Sequence, residues 1–121
     1  MDLVTFITTE SGNDLIVSFA VQAPGDPADV ESLTMIRTPK YESLLAEHER
    51  AVHVSFDRHG QEHDDYLQAV EYIEADGIVR VRTSSHQYEL DVRKVGTKEL
   101  KRMRQVLHIM NYDGTFQTSG V

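Results

Sequence analysis

Cysteine and tryptophan are absent from this chain of 121 residues, and it has only three prolines. Without cysteine there is no disulfide, no thiolate nucleophile and no Cys-ligated zinc or iron–sulfur centre. Long apolar runs are missing as well. The opening Met1-Asp2-Leu3-Val4-Thr5-Phe6 has neither the basic start nor the apolar length of a signal peptide. A cytoplasmic protein with no membrane partner is the expectation. The seven glycines are scattered, with no GxGxxG or GxxxxGK[ST] loop to cradle a phosphate. The serines lie in no nucleophile elbow. These absences lean the reading away from an enzyme, and no cofactor is expected.

Basic residues are scarce in one part of the chain. Residues 1–77 carry 16 Asp/Glu against 4 Lys/Arg, whereas residues 78–121 carry 4 against 8. The balances are −12 and +4, together the −8 of the whole chain. Such asymmetry creates a long-range field that steers association and repels polyanions. Nucleic acid is therefore an unlikely partner. The basic run of Arg93, Lys94, Lys98, Lys101, Arg102 and Arg104 reads as a solvated helix face, with no stacking aromatics between its charges.

What is present reads as an α+β domain over 1–114 with a loose tail at 115–121. Leu15, Val17, Phe19 and Val21 alternate with Ile16, Ser18 and Ala20, the pattern of a half-buried strand. Leu3–Thr8 is its expected partner. Ala23-Pro24-Gly25-Asp26-Pro27 reads as a loop, Leu33–Arg37 as a strand, and Thr38-Pro39 as the start of a short helix near 39–48 that carries Tyr41, Leu44 and Leu45, with Tyr41 inward. Val52, Val54 and Phe56 mark a fourth strand, and Asp57–Asp65 a solvated loop.

Residues 66–75 fit either a helix or a strand, and the Asp76-Gly77 turn signal favours a strand. Turns at Asp76-Gly77 and Ser85-His86 would then place Glu71, Arg82 and Glu89 in one charge ladder, with Tyr72, Val81 and Leu90 on the other face. A helix over Lys98–Met110, capped by Thr97, shows an apolar stripe of Leu100, Met103, Val106, Leu107 and Met110. The expected fold is an antiparallel meander of six or seven strands with this helix on one face.

The metal candidates are His53, His59, His63 and Asp57, within a stretch where His48, His53, His59 and His63 span sixteen residues. Imidazoles and carboxylates suit zinc, nickel or manganese. Gly60 lies between His59 and His63, which argues against a shared helix face. The carboxylate pairs, Asp64-Asp65 among them, read as surface charge. The leading expectation is a small acidic protein-binding domain that engages a basic partner, of the inhibitor or immunity type. The alternatives are a metal-dependent hydrolase at the His/Asp cluster and a homodimeric scaffold or accessory domain.

Overall fold

The computed structural model describes residues 1–60 and 64–121. The fold is α+β, with eight strands and one helix among the described residues: β1 (Asp2–Ser11), β2 (Leu15–Ala23), β3 (Asp26–Arg37), β4 (His53–Phe56), β5 (Leu67–Ile73), β6 (Ile78–Thr83), β7 (Gln87–Asp91), α1 (Thr97–Met110) and β8 (Gln117–Ser119). They form one mixed sheet in the order β4-β3-β2-β1-β7-β6-β5-β8. Most neighbours are antiparallel, but β1 runs parallel to β7 and β8 parallel to β5. The first strand of that order also bonds to the approach of the seventh. His53 bridges Tyr66, the Val54 amide donates to Asp65 O at 2.9 Å, and the Leu67 amide donates to Val52 O at 2.9 Å. A sheet so joined must curve round on itself, with β4 meeting β5 only at its start and β8 pairing further along β5.

Side-chain alternation supplies the core. Val17, Phe19 and Val21 of β2, Leu33 and Met35 of β3, and Val79 and Val81 of β6 all point inward and are buried. In β1 the inward face changes parity, because a bulge between Val4 and Phe6 buries Val4 and Ile7 and turns Phe6 out. The Thr5 hydroxyl steadies that bulge by donating to Ala20 O at 3.1 Å. Helix α1 lays Met103, Val106, Leu107 and Met110 against β1 and β2. Each such side chain, fully buried, contributes about 1.5–3 kcal/mol. The helix starts one residue earlier than expected, with Gly96 rather than Thr97 as its cap.

Several expectations change. The Pro24-Gly25 loop is a tight hairpin turn, with Gly25 at a φ of 78° that a side chain disfavours, and β3 runs seven residues further towards it than the pattern implied. The strand at 66–75 is present, but both meander registers move by two residues. Ile73 faces Ile78 across a four-residue turn, and Arg82 faces Gln87 across Ser84-Ser85. A shift of two keeps every side chain on its face, so the ladder survives with a different centre. Arg80, not Arg82, donates to Glu71 at 3.2 Å and to Glu89 at 3.1 Å. The tail expected to hang loose instead pairs as β8, and Phe116 beside it is buried.

The short helix near 39–48 is two 3₁₀ turns, Pro39–Leu44 and Glu47–Glu49. Tyr41, Leu44 and Leu45 are exposed, and the buried side chain of the first turn is Glu42. The cause is Arg37, which follows Leu33 and Met35 on the inner face of β3 and has no exposed side-chain surface. Its guanidinium donates to both oxygens of Glu42 (2.7 and 2.9 Å), both of Asp113 (2.9 and 2.8 Å) and Met110 O (2.8 Å). A buried cation needs such partners, and they draw Glu42 inward in place of its apolar neighbours. Tyr112 closes the cluster, its ring 4.4 Å from the guanidinium and its hydroxyl donating to Glu42 at 2.9 Å. Bonds from Asp113 and then Glu42 raise the Arg37 pKa, and Arg37 in turn holds both carboxyls below their usual range.

Candidate functional site

The seam between β4 and β5 opens into a cleft of about 270 Å³, whose lining includes His53, Phe56, His59, Asp64, Asp65 and Tyr88. Two of the candidate ligands therefore meet at one place. His53 faces outward from β4 with its ring 4.8 Å from that of Tyr66, the residue it bridges. His59 ends a short 3₁₀ turn, Asp57–His59, that reverses the chain after β4. Its ring stands edge-on to Phe56 at 5.5 Å and stacks on His86 at 4.2 Å with 14° between the planes.

The other two candidates differ. Asp57 is committed to the scaffold, its carboxylate accepting the Ser32 amide at 2.8 Å. His63 lies outside the described residues. Among the described residues, no group of three His, Asp or Glu side chains is placed to hold a metal ion. The His59–His86 stack also sets in-plane lone pairs side by side rather than aiming them at one point.

Asp65 is the residue that sequence reasoning missed. Expected as loop surface charge, it is only 8% exposed and forms the hub of the β6–β7 turn. Its carboxylate accepts the hydroxyls of Thr83 and Ser84 (both 2.6 Å) and the amides of Ser85 (3.0 Å) and Tyr66 (3.2 Å). The His86 Nδ1 lies 3.4 Å away. Burial pushes the Asp65 pKa up, but bonds from Ser84, Thr83, His86 and the Ser85 amide outweigh it, and the carboxyl stays ionised below its ordinary value. The same bonds fix the turn at Ser84-Ser85. A signal existed in Thr83, which continues the inner face of Val79 and Val81 and so requires a buried acceptor.

Asp64 lines the cleft, and Glu49 lines an adjoining hollow that shares Ile36 and His53 with it. Burial raises the Tyr66 phenol pKa, and the charges of Asp64 and then Glu49 push it up further. Glu49 accepts the Ala46 amide at 3.1 Å. Among the described residues, neither Glu49 nor Asp64 is in an ion pair, whereas Arg37, Arg58, Arg80 and Arg93 are each held by acids. No helix among the described residues is long and apolar enough to cross a membrane. Comparison of the chain with protein-family models, with curated proteins and with solved structures finds no match.

Proposed function

We propose that this chain is a small, acidic, non-enzymatic binding domain of the cytoplasm that engages a basic protein, taking a lysine or arginine of that partner at the rim of the seam cleft. The observation that carries the reading is the placing of two carboxylates on either side of His53, whose ring packs on Tyr66: Asp64 in the cleft and Glu49 in the adjoining hollow, neither in an ion pair among the described residues. Two carboxylates and an aromatic face are what a guanidinium or ammonium group binds, through charge-assisted bonds and stacking. The −8 net charge adds long-range attraction for a basic partner and repels nucleic acid.

The test is affinity capture of the tagged protein from its native lysate at low and high salt, in parallel with a Glu49→Gln/Asp64→Lys variant. The expected result is a stoichiometric basic protein that is held at low salt, released at high salt and lost from the variant. Equal recovery by the variant would overturn the reading, and so would recovery of the bait alone at every salt concentration.

A further inference from the structure

The basic side chains of α1 form a second surface. The helix carries Lys98, Lys101, Arg102 and Arg104 against one acid, Glu99, which turns back to the helix start and accepts the Gly96 amide at 3.4 Å. Among the described residues none of these four cations is in an ion pair, although the chain has 20 Asp/Glu for 12 Lys/Arg. Between the helix and the end of β5 runs a groove of about 500 Å³. Lys101 and Arg104 line it from the helix, Tyr72 and Leu100 add apolar surface, and Glu74 stands on the strand side. Arg104 is held in place, its guanidinium over the Tyr72 ring at 5.8 Å from the centroid. At the far end His108 is engaged, its Nε2 lying 2.8 Å from Val121 O. The sequence shows no aromatic among the basic residues of this helix; the fold brings one to Arg104 from a different element.

We propose that this groove takes an acidic segment of a partner protein, with carboxylates seated on Lys101 and Arg104. A guanidinium fixed on a ring and an ammonium beside it, neither neutralised from within the chain, are the donors that carboxylates bind through charge-assisted bonds. The two cations are one helical turn apart, about 5 Å along the axis. Alternate side chains of an extended peptide repeat at about 7 Å, a difference the flexible lysine stem spans. The aromatic ring does not make this a nucleic-acid site. Arg104 lies over Tyr72 and the ring is only 8% exposed, so no face is left for a base to stack on. Glu74 and the −8 net charge also repel a long polyanion, whereas a short acidic segment meets the local cations alone. The groove shares no residue with the seam cleft, so it stands apart from the basic-partner reading.

Fluorescence anisotropy of a labelled, alternating Glu-Ala peptide of a dozen residues, titrated with the full chain, tests this. The expected result is saturable binding that weakens as salt is raised. Lys101→Glu, which alters an exposed side chain, weakens binding about tenfold with an unchanged melting curve, and Arg104→Gln does the same. The Glu49→Gln/Asp64→Lys variant, changed only beside the seam cleft, keeps its binding. Amide shifts on adding the peptide fall on Thr97–His108 and on Tyr72–Glu74. Absence of saturation at millimolar chain overturns the proposal, and so does a Lys101→Glu variant that binds as the wild type does. Tighter binding of an oligothymidylate of the same length overturns it in favour of nucleic acid. Displacement of the peptide by an equal concentration of inorganic phosphate overturns it in favour of a small-anion site. Should Arg104→Gln fail to fold, Lys101→Glu decides.

Discussion

At the end of β3, Glu42 is buried against a guanidinium; at the β6–β7 turn, Asp65 is buried against two hydroxyls and two backbone amides. Both carboxylates are ionised and below their ordinary pKa, yet the costs are distributed differently. The Arg37 cluster joins parts of the chain more than seventy residues apart, since Arg37 reaches Met110 and Asp113. It must desolvate a cation as well as an anion. The Asp65 cluster needs no counter-charge, and its neutral donors belong mainly to one hairpin turn. The first welds the helix end to the sheet, while the second sets the register of two strands and one wall of the cleft.

That contrast can be broken or sharpened by substitution. Arg37→Ala leaves Glu42 buried without its cation and is expected to cost about 3–5 kcal/mol in urea unfolding. Replacing the pair together, Arg37→Met with Glu42→Met, is expected to cost less, because the remaining Asp113 side chain is 40% exposed and rehydrates. Equal costs would show that packing rather than charge governs the cluster. Asp65→Asn retains the shape but removes the charge from at least four hydrogen bonds, with an expected loss of about 1.5–3 kcal/mol. Its effect should also appear as broadened amide resonances at Ser84 and Ser85, where Arg37 variants have none.

Acid tests both clusters at once. A carboxyl whose folded pKa is depressed contributes stability above its unfolded value, about 4, and loses it as pH falls through the folded value. Glu42, Asp113 and Asp65 all have this sign. The urea midpoint is therefore expected to be flat from pH 7 to about pH 5 and to fall steeply below about pH 4. The Arg37→Met/Glu42→Met protein should show a shallower fall, the Asp65 share alone being intact. The smallest effect belongs to the exposed Glu71–Arg80–Glu89 ladder, where Arg80→Ala should leave the melting temperature unchanged within error. A clear drop there would mean that surface charge contributes to the sheet as the buried clusters do.

The sequence made the sheet faces legible and left the registers open. Period-two alternation places Phe19, Met35, Val81 and Leu90 inward without ambiguity, and a two-residue slip does not disturb it. The dipeptides Asp76-Gly77 and Ser85-His86 do not fix the turns: the first lies inside a four-residue turn, and Asp65, distant in sequence, selects Ser84-Ser85 for the second. The helix at 97–110 was plain from its stripe. The 39–48 segment departs from its apolar pattern of Tyr41, Leu44 and Leu45 because Arg37, following Leu33 and Met35 on an inner face, requires a buried acid. Of the cleft, His53 and His59 were singled out from composition. The residues that shape it, Asp65, Tyr66 and His86, come together only through the seam, which no local pattern encodes.

The pairing of Gln117–Ser119 with β5 has a consequence for the molecule before it is complete. Strand β5 is apolar at Leu67, Val70 and Tyr72, and its outer side carries unpaired amides and carbonyls until β8 arrives. Such an edge is a template for pairing with a stranger. Strand β8 covers it with three polar residues, and Gly120 then passes so close to the Tyr72 carbonyl that a Cβ would clash with it. During synthesis β5 precedes β8 by some forty-eight residues, so the chain passes through an interval of exposed stickiness that ends only with its last strand. A substitution that loosens β8, Gly120→Ala for instance, should act less on the melting temperature than on the yield of soluble protein.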